Sequence, residues 1–460
     1  PSKHILSNLR APLWSECIGS WWNLLTDGSA QVVKPVCKKR ANVKRTALSL
    51  DGAARIFFYL FLLIKPLYLL SSGSLQLGDI CLLLAFACCL TSRRANFKIE
   101  RIDLLMIGFV SSVIVIDGWY FCMYGDTSFL VYAMYYVFNL FAILLFRYLY
   151  EDRDFLRACC RCLRIALIIQ FLIYVFGFGR WYDAARYMGT FNDPNQMGFF
   201  VLSSFAFILI ANEKCGFKNR LVDDFCAIAL ILLTSSTGMM LGMVLIYCAK
   251  AFKFVRKDDV RHAILALISF CVLLSTALVV VSLIGSGGGI AGLETMIDRI
   301  QGKIDKLFSG GEIAGQSSFL IDRGLDKVAA YPELIFFGAG EGNWGRFDLA
   351  YTNMNEVHST WIGLLFYYGL IPFFILVAWI VGNFRHGRNS TYAYLVYFAL
   401  FAETMTLANE RQPMLWMLLT LAALTAAVEV GGTIRENAEK SPSCKRIGAR
   451  KKKKKGARRV

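Results

Sequence analysis

Histidine is scarce in this chain, with 4 residues in 460. Acidic residues are also few, 33 against 50 Lys and Arg, which leaves a formal charge of +17. The glycine run Gly285-Ser-Gly-Gly-Gly289 is not followed by Gly-Lys-Ser/Thr, which excludes a phosphate-cradling P-loop. Cys160 and Cys162 lack the spacing of zinc ligands, and no Asp/Glu cluster with metal-ligand spacing is visible, so no metal and no other cofactor is expected. Residues 1–50 carry Trp14, Trp21 and Trp22 among scattered charge, without the apolar core of a signal peptide. That segment is expected on the cytoplasmic face. No solenoid-period repeat and no clear inverted repeat is present.

Apolar sequence is abundant. The hydrophobic fraction is 56% and the mean hydropathy +0.50, more than an ordinary soluble domain carries. The apolar runs are long: Ile56 to Leu70, Leu104 to Ile116, Phe129 to Phe146 and His262 to Ile284. A helix rises about 1.5 Å per residue, so roughly 20 residues cross the hydrocarbon core. The expected fold is an all-α polytopic integral membrane protein with about twelve transmembrane helices and a long outer loop containing short amphipathic helices. The expected spans are 53–71, 75–91, 102–119, 128–146, 162–179, 196–212, 222–235, 237–250, 262–284, 358–381, 392–408 and 413–430. They divide the chain into a cytoplasmic segment 1–52, helices 53–284, an outer loop 285–357, helices 358–430 and a basic tail 431–460.

Basic residues decide the orientation. Arg93, Arg94, Lys98 and Arg101 fall in one set of alternating connections, with Arg147, Arg153, Arg157 and Arg161, and with Lys250, Lys253, Arg256, Lys257 and Arg261. The other set is poor in Lys and Arg for its length. Lys and Arg stay on the cytoplasmic side during insertion, so both termini are expected inside and 285–357 outside. The positive charge is therefore read as topology, and no nucleic-acid partner is expected. Lys451 to Lys455 would sit beside anionic membrane lipids. The cysteines map mostly to spans or the cytoplasmic side, and only Cys122 to an outer loop, so a disulfide framework is not expected.

In the long loop, Leu293, Met296, Ile297, Ile300, Ile304, Leu307 and Phe308 share one helical face, which suits an interfacial helix. A second helix, roughly Ser317 to Tyr331, is expected to end at Pro332 and to carry Arg323 on its polar face. A glycine-rich stretch, Phe337-Gly-Ala-Gly-Glu-Gly-Asn343, leads back to the membrane. The outer loop 180–195 mixes Arg180, Arg186, aromatic rings, Gly189, Asn192, Pro194 and Asn195. Arginine there can fork onto a phosphate, and amides and rings suit sugars; an interfacial aromatic belt with an Asx/Pro turn suits the same residues. His358 is the one histidine on the outer side by this topology, with Glu356 two residues before it. It suits a general base or a helix cap. Lys65, Asp79 and Glu403 fall in the outer half of spans, which points to a cavity open outward or, for Lys65, to snorkelling.

At these residues the chain resembles the O-antigen ligase and O-antigen polymerase superfamily of bacterial envelope enzymes. Arg186-x-x-Gly189-Thr-Phe-Asn192-Asp-Pro194-Asn195 is similar to that family's outer-loop segment. Arg323, ahead of Tyr331-Pro332 and Gly338-x-Gly340-x-Gly342, is similar to its long-loop arginine, and His358 to the histidine heading the following helix. The resemblance covers roughly 50–430. It departs at Ser235-Ser236-Thr237-Gly238, where Thr237 stands for the usual arginine and Arg411 is a conceivable substitute. The resemblance implies a metal-independent glycosyltransferase of the bacterial inner membrane. Its donor would be a glycan on undecaprenyl diphosphate and its acceptor a hydroxyl of a second glycan, with other polysaccharide-assembly proteins as partners. Arg186 and Arg323 would hold the diphosphate and His358 would serve as base. Gly189, Asn192, Asn195, Glu356 and Arg411 would contact substrate. The competing class is a polysaccharide transporter or lipid-linked oligosaccharide flippase.

Overall fold

The computed structural model describes residues 50–70, 76–92, 99–150, 153–182, 186–255, 260–284, 301–302, 323–347, 356–387 and 389–423. The expected N-terminal segment through residue 49, most of the loop helix 293–308, and the tail from 424 onward lie outside them.

The described chain is mostly helical. In order it runs α1 (Leu50–Ile64), α2 (Leu77–Thr91), α3 (Arg101–Tyr124), α4 (Ser128–Leu149) and α5 (Arg153–Val175). An antiparallel hairpin follows, β1 (Arg180–Tyr182) and β2 (Arg186–Gly189). Then come α6 (Pro194–Cys215), α7 (Leu221–Thr234), α8 (Thr237–Val255) and α9 (Val260–Ile284). Two short helices, α10 (Asp326–Ala330) and α11 (Leu334–Phe337), precede α12 (Thr360–Tyr368), α13 (Leu370–His386) and α14 (Thr391–Thr404). The last described helix is α15 (Pro413–Ala423). Among the described residues five helices are long and apolar enough to cross a membrane: Arg101–Tyr124, Ser128–Leu149, Asp154–Val175, Pro194–Cys215 and Thr237–Val255. Leu77–Thr91, Ile264–Thr276, Leu370–His386 and Pro413–Ala423 are apolar but shorter.

Helix ends follow local chemistry. The Asp193 carboxylate accepts from the backbone N–H of Asn195 (2.7 Å) and Gln196 (3.2 Å), and Pro194 takes the first position of α6. Such a cap stabilises a helix by about 1 kcal/mol. α6 is the central post, with 83% of its apolar window buried against 28–44% in the other four long helices. That difference explains why α6 is apolar on every side.

Four expectations need correction. The span 358–381 is broken. Gly369 adopts φ +77°, which separates α12 from α13. The carbonyls of Phe366 and Tyr367 accept from the N–H groups of Ala339 (2.9 Å) and Gly340 (2.8 Å), so another segment satisfies backbone at the break. That segment is the glycine-rich stretch, which is buried from Gly338 to Gly342 instead of merely leading back to the membrane. Arg323, expected on the face of a helix, instead lies in the turn before α10. In addition, α5 starts nine residues before the expected 162, because Arg153 to Arg161 continue the helix.

Candidate functional site

Three segments meet around His358. Its backbone N–H donates to the Arg323 carbonyl (2.9 Å), which ties the end of the long loop to the start of α12. The Arg323 guanidinium donates to the Thr406 carbonyl, beyond α14. The Thr360 N–H and hydroxyl donate to the Leu407 carbonyl at 3.1 and 2.8 Å, and the Asn409 N–H donates to the same hydroxyl at 2.8 Å. The connection 405–412 is thereby stitched to the histidine segment.

His358 is half-buried, and among the described residues neither ring nitrogen is hydrogen-bonded. Its imidazole feels Glu356, Arg323, Asp193 and Arg411. Burial holds its pKa below the ordinary histidine value; Arg323 and Arg411 act in the same direction, while Glu356 and Asp193 oppose them. This favours the neutral ring, the form able to accept a proton.

Glu356 is fixed by Arg411, whose Nη2 lies 2.5 Å from the carboxylate. Burial pushes the Glu356 carboxyl up, but the charge and hydrogen bond of Arg411 outweigh it, so the group stays ionised. Arg411 also donates from Nε to Glu341 (2.7 Å) and stacks over the Tyr132 ring, 4.3 Å from its centroid. Glu341 is fully buried and accepts from Tyr136 (2.6 Å) and Tyr368 (2.9 Å), while its N–H donates to Asp117 (2.8 Å). Next to this network, burial and then the charge of Glu341 push Glu410 up to about 8.

Arg186 is buried. Its Nε donates to the Thr234 carbonyl (3.0 Å) and its Nη2 to Asn195 (2.8 Å), while the Ser236 hydroxyl donates to the same amide oxygen (3.1 Å). Arg186 thus clamps β2 to the head of α6 and to the turn between α7 and α8. It approaches the histidine group through Asn195 and the neighbouring Asp193. Asn192 is held by Arg180 Nη1 at 2.9 Å. Gly189 is buried at the end of β2, and a Cβ there would lie 2.6 Å from the Gln170 amide oxygen.

Compared with known proteins, the chain matches no family model and no curated protein.

The structure therefore brings His358, Glu356, Arg323 and Arg411 into one group, with Arg186 and Asn195 in a second group beside it. Gly189 and Asn192 have local partners of their own. Lys65, Asp79 and Glu403 do not share a polar cavity among the described residues. Lys65 pairs with Asp79 at 2.7 Å, and Glu403 accepts from Asn409 at 3.0 Å. Lys65 does line a narrow crevice with Phe191, Phe199, Phe200, Gln412 and Met414. Sequence reasoning missed Glu341 and Asp117. Their signals were present: a lone acid inside a glycine-rich run, and an aspartate in the middle of an apolar span.

Proposed function

We propose that this chain is a glycosyltransferase of the O-antigen ligase or polymerase type, acting at the outer face of a bacterial inner membrane. In this reading about twelve helices cross the bilayer, counting the shorter apolar ones. The donor is a glycan on undecaprenyl diphosphate. The acceptor hydroxyl oxygen bonds to the anomeric carbon, the bond from that carbon to the diphosphate breaks, and the lipid diphosphate leaves with the electron pair. His358 takes the hydroxyl proton. Arg323 and Arg186 stabilise the departing charge in place of a metal. Arg411 is held by two carboxylates, so in this reading it positions Glu356 beside His358.

The observation that carries this reading is the convergence of His358 with Arg323 and Glu356: a half-buried imidazole next to a cation, brought together from separate segments. The test follows glycan transfer from a purified lipid-linked donor by wild type and His358→Ala. A loss of about 10²–10⁴-fold is expected, with insertion and donor binding retained. Retention of more than about a tenth of turnover would remove His358 from the chemistry.

A transporter for lipid-linked oligosaccharide is the second reading, and the break at Gly369 favours it, because discontinuous helices build transporter sites. Transport of donor across a vesicle membrane without any glycan transfer would select it.

A further inference from the structure

A second site lies at the other end of the helices. From Thr237, beside the Arg186–Asn195–Ser236 group, α8 runs for 13 residues to Lys250, roughly 20 Å. There the end of α8 meets the starts of α7, α9 and α14 around a cleft of about 290 Å³. This is close to the lower end of small-ligand pockets, roughly 300 Å³.

The cleft has two unlike walls. One presents Lys250, Lys253, Asp224 and Tyr392, the other Leu265, Ala266 and Leu273 of α9. Both ammonium groups are positioned by aromatic rings and carboxylates. The Lys250 Nζ lies 4.4 Å from the Tyr247 ring centroid and pairs with Asp224. The Lys253 Nζ lies 4.7 Å from the Tyr392 ring centroid and pairs with Glu213. Lys218, Arg220 and Arg261, at the nearby helix ends and connection, keep the local balance basic.

The rim distinguishes a lipid from a soluble anion. Leu221 and Leu265 both line the cleft, yet they are 71% and 56% exposed. Ile264, Ile268 and Val272 continue this exposed apolar surface along α9 at 51%, 51% and 57%. A cleft with two lysines and one aspartate inside and leucines at its mouth, continuous with the exposed apolar face of α9, matches a molecule with a phosphate at one end and hydrocarbon at the other.

We propose that this cleft binds one anionic phospholipid, its phosphate between Lys250 and Lys253 and an acyl chain over Leu265 and Leu273. By the charge asymmetry of the connections this is a lipid of the inner leaflet. The proposal depends on membrane insertion but not on glycosyl transfer.

The test is native mass spectrometry of the full chain released from bilayers of equal phosphatidylglycerol and phosphatidylcholine. Wild type is expected to retain one phosphatidylglycerol under activation that strips phosphatidylcholine. Lys253→Gln should weaken retention about fivefold, which is about 1 kcal/mol. Ser269→Trp fills the cleft without touching a charge and should abolish retention. Arg385→Gln, an exposed cation on α13 outside the cleft, should retain the lipid. Equal retention of the two lipids would overturn the proposal, as would an unaffected Ser269→Trp or an equal loss in Arg385→Gln. Displacement of the lipid by glycerol 3-phosphate alone would assign the cleft to a soluble phosphate instead.

Discussion

Glu356 and Arg323 act on the His358 imidazole with opposite signs. The carboxylate favours the protonated ring, and the guanidinium and the burial of the ring disfavour it. In the proposed reaction only the neutral ring accepts the acceptor's proton, so transfer is lost as pH falls through the histidine pKa, below about 6.5. Removing the Glu356 charge takes away a contribution that raises this pKa. Glu356→Gln should therefore shift the acid limb of the pH–rate profile to lower pH. Arg323→Ala removes a contribution that lowers it and should shift the limb to higher pH, while also reducing turnover. Profiles of kcat/KM from pH 4.5 to 8 measure both. Shifts of the same sign in the two variants would mean that His358 does not set the acid limb. Arg346, which shares the loop with Arg323, is no neutral control for such work. Its guanidinium donates to the Ala339 and Gly340 carbonyls and lies over the Tyr120, Phe129 and Phe347 rings.

At the scale of elements, the most informative feature is the pairing of the glycine-rich stretch 338–340 with the broken helix. Hydropathy reads 358–381 as one continuous apolar segment. It cannot detect the break, because the cause is long-range: Ala339 and Gly340 donate to carbonyls in the last turn of α12. Gly369 makes the joint possible. At φ +77° a side chain is strained, and a Cβ would lie 2.6 Å from the Phe336 carbonyl oxygen. Gly369→Ala should destabilise the fold by at least about 1–3 kcal/mol from the backbone term alone. Gly118, inside α3 with open space around it, is the contrast: Gly118→Ala should be neutral or stabilising by roughly 0.5–1 kcal/mol. Thermal unfolding of the purified protein in detergent compares them, and equal melting temperatures would mean that the joint is not rigid. Helices bounded by local signals were legible in the sequence. The cap at Asp193–Pro194 places the start of α6 within two residues of expectation, whereas α3 runs to Tyr124, past the expected end at 119, before Gly125 at φ +68° closes it. The site was legible in part. His358, Arg323, Glu356 and Arg411, singled out in the sequence, lie in one electrostatic group. The buried partners Glu341, Asp117, Tyr136 and Tyr368 were not, because only the folded-back loop puts them in reach of Arg411.

For the whole molecule the distribution of charge is the widest-ranging argument, and the described residues give it physical content. Among the basic residues assigned to the inner side, Arg147 near the end of α4 pairs with Glu100 (3.0 Å) and Asp103 (3.1 Å) at the start of α3. Lys250 and Lys253 also pair with acids at that end. The His358 group lies at the opposite end of α8, through the Arg186–Asn195–Ser236 contacts and Asp193. A loop rich in Lys and Arg resists translocation, so the end bearing Lys250 is predicted in the cytoplasm and the end bearing His358 outside. Single cysteines test this prediction in a background with all 14 native cysteines replaced by serine, since Cys122 is exposed near the end of α3 and Cys444 lies three residues from position 441. Position 317 lies in the long loop and 441 in the tail. With an impermeant thiol reagent on intact cells, Ser317→Cys should label and Ser441→Cys should label only after permeabilisation. The reverse pattern would put the His358 group in the cytoplasm, where an outer-leaflet glycan donor cannot reach it. It would also move the Lys250 cleft to the outer leaflet.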